Sequence, residues 1–225
     1  MAERGVYMNI STGKIGSVVT GIAVLAFAIS MILSAGVFIS CLLSIFIAIG
    51  FIPFMCAIFA VNRKSDNKAV GYTGVAFAAV YAVIIFLVYY AECTTVRLNT
   101  SLSEEALSII SFGYTGSLFF NYDLLGYAFM SLTTFIMSFL VEPLHKTDKV
   151  FQWLLRIHGI FFLSCFFIPM FPLFTEGKSD MIGTIVLEIW CVYFLPVCVL
   201  GYQYFKRKQD HNSTGGTNEK QWRKP

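Results

Sequence analysis

The chain has 225 residues, of which 57% are hydrophobic and only 13% charged, with a mean hydropathy of +0.72. A soluble domain averages about 25% charged residues, so this composition excludes soluble domains and implies one membrane helix bundle. A net charge of +3 is too small to point to nucleic acid as a partner.

Residues Met1 to Lys14 are short and polar, and are expected to form a cytoplasmic N-terminal segment (1–14). Ile15 to Val61 then runs 47 residues without a charged side chain. As a helix that is about 70 Å, roughly twice the ~30 Å hydrocarbon core, so it must fold into a hairpin. Ser34-Ala35-Gly36 is the expected turn, between a first span at 15–33 and a second at 37–61. A cleaved signal peptide ending at Ala26-Phe27-Ala28 is the rival reading, and the apolar run continuing past it speaks against cleavage.

A charged loop with Arg63, Lys64 and Lys68 precedes a third span at 70–91 that ends at Glu92. In the polar stretch that follows, Ser101 and Glu104 fit a capping box, and Leu102, Ala106, Ile109 and Ile110 predict a small amphipathic helix. The fourth span is 118–141. After a loop with Pro143, His145, Lys146 and Lys149, the fifth is 150–171, broken near Pro169 and Pro172. The sixth is 181–205, completing a transmembrane domain of 15–205, and residues 206–225 read as a disordered cytoplasmic tail.

The fold class is therefore all-α, a polytopic membrane bundle of six transmembrane helices, N-in/C-in. Orientation follows from the basic residues. Fourteen of the sixteen Lys and Arg fall on the side of both termini under this threading, and only Arg97 and Lys178 lie across the membrane. That asymmetry places both termini in the cytoplasm of a cell membrane.

On the fourth span, Asp123, Tyr127, Met130, Ser131, Thr134 and Ser138 share an arc of roughly 100°. A polar stripe on an apolar helix faces protein, not lipid. The third span carries a stripe of its own, Gly74, Ala78, Tyr81, Ile85 and Glu92, with small residues that suit close approach. Glu188 lies on the sixth span, near Thr184 and Cys191.

Asp123, Glu188 and Glu92 all fall in the extracytoplasmic half. With Tyr89, Tyr90, Tyr122 and Tyr127 at similar depth, and Arg97 as a counter-charge, they could line a pocket open to the outside. Plainer readings stand beside that one. The tyrosines fit an interfacial belt, Glu92 a helix end, and Asp123 a carboxylate held by free N–H groups at a helix N-terminus. For His158 on the fifth span, a hydrogen bond to Glu188 or a helix carbonyl is expected, with a proton relay as the sharper alternative. A second imidazole at membrane depth is missing, which disfavours haem, so no cofactor is expected. Five of the six cysteines fall inside apolar segments without metal-ligand spacing, so no metal is expected either.

The stretch Tyr89-Tyr90-Ala91-Glu92-Cys93-Thr94-Thr95-Val96-Arg97, followed by Asp123-Leu124-Leu125-Gly126-Tyr127, resembles uncharacterised six-helix bacterial integral membrane proteins. In these a helix ends before a T-V-R loop and a later helix carries D/E-x-L-G-Y. The likeness covers about half the chain, the third to fifth spans, and brings no assigned activity. It implies Arg97, Asp123, Gly126 and Tyr127 as the residues of interest. Catalytic signatures such as GxSxG and HExxH are missing. The expected function is a non-enzymatic module binding a small ligand or protein partner through the outer pocket. A proton- or cation-coupled secondary transporter is the alternative, and an intramembrane enzyme on a lipid-like substrate ranks third. The sequence leaves the oligomeric state open.

Overall fold

The structure is a computed structural model that describes the backbone of residues 2–62, 67–171 and 179–221, with side chains for 5–62, 67–171 and 185–212. Arg63, Lys64, Pro172, Lys178, Arg223 and Lys224 lie outside the described residues. The protein is all-α, 85% helical, with no strand among the described residues. Its helices are α1 (Ala2–Ile32), α2 (Val37–Ala60), α3 (Lys68–Ala91), α4 (Glu104–Ile110), α5 (Leu118–Met137), α6 (Lys146–His158), α7 (Ile160–Phe167) and α8 (Ser179–Gln221).

Five helical stretches are long and apolar enough to cross a membrane: Gly5–Ile32, Val37–Ala60, Lys68–Val96, Lys146–Met170 and Ile185–Asn212. Their outward faces are unmistakably apolar, with Ile22, Leu87, Ile160 and Val192 all at least 65% exposed. A water-soluble protein rarely shows large contiguous apolar patches, so this surface suits lipid. α5 is 20 residues, about 30 Å, and runs the length of the bundle. Its composition is more polar because it carries the stripe described above. All six stripe residues are buried, as are the five of the α3 stripe.

The expected hairpin forms where the sequence placed it. Ser34 takes a left-handed φ of 49°, its N–H bonds to the Met31 carbonyl, and the Ala35 N–H reaches back to Ser30. This is the paired 6→1 and 5→2 pattern of a Schellman end. Gly36, with φ 92°, then opens α2. α1 and α2 approach backbone to backbone: a Cβ on Gly50 would lie 2.6 Å from the Thr20 N, and one on Gly16 2.6 Å from the Phe54 N. Gly16 and Thr20, one turn apart, make the small-residue contact that lets membrane helices close on each other. α3 and α5 run antiparallel in a clear register. Gly74 meets Met137, Gly126 meets Ile85, and Tyr89 meets Asp123.

Several boundaries differ from the sequence reading: the fourth span stops being helical at Met137 instead of Val141, the fifth starts at Lys146 instead of Val150, and two others move further. The helix expected at 15–33 begins at Ala2, and the one expected to end at Phe205 continues through Gln221. Partners on neighbouring elements explain the extension beyond Phe205. Lys14 donates to Gln209 at 3.1 Å, Arg207 pairs with Asp148, and Lys208 pairs with Glu142 at 3.0 Å. Asn62 donates to the Leu140 carbonyl at 2.8 Å. Lys14, Asn62 and the Leu140–Asp148 segment therefore share one end of the bundle with Arg207 and Lys208, while Arg97 lies at the other.

The short helix in the polar stretch is present as α4, but its cap is Ser103, which accepts from the Ala106 N–H at 3.2 Å. Ser101 instead donates through its N–H and its hydroxyl to the Asn99 side chain, at 2.9 and 2.6 Å. That local turn removes Ser101 from the capping role. The break near Pro169 is a 3₁₀ turn, Ile168–Met170. A second irregularity at Gly159, between α6 and α7, lets that glycine press against Phe135, whose Cβ would stand 2.8 Å from an added Cβ.

Candidate functional site

Asp123 is 6% exposed and sits one turn beyond the N-terminus of α5. The free N–H groups there are not its partners, because Ser117 caps the helix by accepting from the Phe120 N–H at 3.2 Å. The N-terminal explanation for Asp123 is thereby corrected. Its carboxylate instead accepts from the Tyr89 hydroxyl of α3 at 2.5 Å. No other hydrogen bond reaches its carboxylate from the described residues.

One turn deeper on α5 lies Tyr127, whose ring meets Tyr81 at 6.1 Å and Trp190 at 5.3 Å. The hydroxyls of Tyr81 and Tyr127 are both buried with no hydrogen-bond partner. Ser44 of α2 is the polar neighbour of the Tyr127 hydroxyl, and its own proton goes to the Ser40 carbonyl at 3.0 Å. Buried hydroxyls are normally satisfied, and an orphan costs about 1–3 kcal/mol. The Asp123 carboxylate lies within electrostatic reach of both.

The four tyrosines grouped by depth thus part company. Tyr90 and Tyr122 face outward, 66% and 47% exposed, as an interfacial belt requires, whereas Tyr89 and Tyr127 turn inward, Tyr89 onto Asp123 and Tyr127 onto Tyr81 and Trp190.

Glu92 closes the site from the Arg97 end. It accepts from the backbone N–H of Phe112 and from the Ser111 hydroxyl at 3.3 Å. The Phe112 ring then stands edge-on to Tyr89 at 5.6 Å. Glu92 therefore pins a cover over the Tyr89–Asp123 pair and is more than a helix end. It opens a π-helical turn, Glu92–Val96, a local widening frequent at functional sites. Arg97 is not the counter-charge expected of it. Its guanidinium stacks on Phe38 at 4.1 Å and its Nε donates to the Cys93 carbonyl at 3.1 Å. The two ion pairs among the described residues, Arg207–Asp148 and Lys208–Glu142, lie at the other end of the bundle.

His158 does not bond to Glu188. Its Nε2 accepts from the Trp190 indole N–H at 3.0 Å, and its Nδ1 stands 2.7 Å from the Thr134 hydroxyl. That hydroxyl donates to the Ser131 carbonyl at 2.8 Å, so the imidazole proton sits on Nδ1. The donor count describes a neutral ring with both nitrogens satisfied, packed between Tyr193, Phe161 and Phe194. It tethers α5, α6 and α8, and the proton relay with Glu188 loses its geometry. Thr134 is 11 residues from Asp123, about 16 Å along α5, so the two clusters stand apart. Glu188 belongs to neither, and its Oε1 is buried without a partner.

Comparison with protein-family models, curated proteins and solved structures returns no match. The site must be read from its own chemistry. Of the six residues singled out by sequence, the structure brings Asp123 and Tyr127 together, sets Glu92 above them, and leaves Arg97, His158 and Glu188 in separate contacts. Tyr81 and Trp190 were missed as participants. Tyr81 had been placed in the buried stripe of α3, which was the available signal. A cavity of about 450 Å³ lies instead at the opposite, basic end, lined by Leu144, His145, Arg207, Asp210 and His211.

Proposed function

We propose that this is a membrane protein crossing the bilayer six times, with α5 as the fourth span and both termini cytoplasmic. Its outer half would hold a polar site centred on Asp123 that binds a small ligand. The basic-end clustering of Lys14, Lys146, Lys149, Arg207 and Lys208 supports the orientation. One observation carries the site: a buried carboxylate with a single neutral partner, Tyr89, beside two unsatisfied hydroxyls. Ionisable groups at membrane depth are costly and most often functional.

A second reading, proton- or cation-coupled transport, draws on the unpartnered Glu188 oxygen. One experiment addresses both. Small polar solutes are screened for their effect on the unfolding midpoint of detergent-purified protein, then for uptake into proteoliposomes. Binding at the site predicts a solute that raises the wild-type midpoint but not that of Asp123→Asn. Identical responses from the two proteins would remove the site. Uptake that is lost in Glu188→Gln favours transport, and binding without flux leaves the module reading.

A further inference from the structure

We propose that the cleft between the start of α6 and the far end of α8 holds the headgroup phosphate of one anionic phospholipid from the surrounding bilayer. The inference concerns the basic end of the bundle and is independent of the Asp123 site. The cleft encloses about 450 Å³ and is lined by Leu144, His145, Arg207, Asp210 and His211. That volume falls within the roughly 300–1,000 Å³ of small-ligand clefts. Depth is the first argument. On α6 the exposed apolar residues begin at Val150, five residues beyond His145. On α8 the last of them among the described residues is Val199, eight residues before Arg207. At 1.5 Å per residue the lining stands about 7 to 12 Å outside the apolar belt, at the level of lipid headgroups.

Charge is the second. Glu142 and Asp148 are already paired with Lys208 and Arg207, and Asp210 is the one acid in the lining. Against it stand Lys146, Lys149 and Lys206, all exposed and within four residues of a lining residue in sequence. Arg207 is anchored at the cleft by the bonds its Nε and Nη2 make to Asp148, so its guanidinium is held in place. An imidazole carries one N–H donor when neutral and two when protonated, so His145 and His211 can donate to a phosphate oxygen in either state. The third argument is the surface that continues from the cleft. Lys146, Lys149, Val150, Trp153 and Ile157 share an arc of about 100° on α6, and all five are exposed. This face is basic beside the cleft and apolar beyond it, the order in which an anionic phospholipid presents its phosphate and its acyl chains. A soluble phosphate would fill the cleft but leave that apolar face unused, which favours the lipid.

The test uses full-length protein in a neutral detergent, with phosphatidylglycerol, phosphatidylcholine or inorganic phosphate added at equal concentration. Phosphatidylglycerol should raise the unfolding midpoint in a saturable manner, and native mass spectrometry should show one molecule retained per chain. Phosphatidylcholine and inorganic phosphate should do neither. His211→Glu places a negative charge in the lining at an exposed position and should raise the half-saturating concentration about tenfold. Lys146→Gln should raise it about fivefold. Thr100→Glu makes a matched charge change at an exposed position on the opposite end and should leave it unchanged. Arg207 stays native, because it also holds Asp148. Equal shifts with phosphatidylglycerol and phosphatidylcholine would overturn the proposal, as would equal weakening by His211→Glu and Thr100→Glu. Inorganic phosphate acting as well as phosphatidylglycerol would give the cleft to a soluble anion and overturn the lipid.

Discussion

Replacing Gly50 with leucine is expected to unfold the protein or leave α1 undocked, and Gly50→Ala to lower its stability by about 1–3 kcal/mol. An added Cβ would stand 2.6 Å from both the Thr20 backbone N and its Oγ1, and 3.0 Å from the Gly16 carbonyl. The Thr20 N and the Gly16 carbonyl are backbone atoms held by helix hydrogen bonds, so neither helix can yield there by a side-chain rotation. The Thr20 hydroxyl, which donates to Gly16 at 2.8 Å, is fixed as well. Gly5→Ala is the matched control, because nothing lies within 4 Å of its added Cβ. There alanine should be neutral or mildly stabilising, by up to about 1 kcal/mol of helix propensity. Unfolding of the purified proteins in detergent checks the pair. Equal midpoints for Gly50→Leu and wild type would mean that α1 and α2 do not cross at this point.

The second large effect belongs to the basic end. Asp148 has a fully buried side chain. Its Oδ2 accepts from the Leu144 and His145 N–H groups at 3.0 Å each, and its Oδ1 accepts from the Arg207 Nε at 2.9 Å. Arg207→Ala strands that carboxylate, and losing one partner of a buried pair costs about 3–5 kcal/mol. The low end applies, since the Arg207 side chain is 22% exposed and water can partly replace it. Lys208→Ala should cost about 1 kcal/mol or less, because Glu142 is 23% exposed and can be hydrated. Chemical unfolding in detergent should therefore rank Arg207→Ala well below Lys208→Ala. The reverse order would show that Asp148 is not held by Arg207.

Periodicity made much of the interior legible. The stripes on α3 and α5 are buried residue for residue, because angular position along a helix follows from spacing alone. The turn at Ser34–Gly36 was equally readable, from a length that one crossing cannot hold. What spacing does not encode is the rotation of one helix against another. The sequence therefore points His158 to Glu188 or a helix carbonyl, whereas it meets Trp190, two residues beyond Glu188 and about 200° around α8. Arg97 was paired by charge, but the nearest ring, Phe38, lies 59 positions away in sequence. Tyr81 drew no attention as a polar group because a tyrosine among apolar residues is ordinary. Its unsatisfied hydroxyl exists only in three dimensions. The extension of α8 was hidden by a polar composition whose partners, Asp148, Glu142 and Lys14, come from distant segments.

All of this depends on lipid surrounding the bundle, with its basic end in the cytosol. In a background with the native cysteines replaced, Asn99→Cys and Lys206→Cys sit at exposed positions on opposite ends. A membrane-impermeant maleimide added to intact cells should label position 99 at once and reach position 206 only after the membrane is permeabilised. Labelling of position 206 in intact cells, with position 99 protected, would reverse the orientation and turn the Asp123 site toward the cytosol.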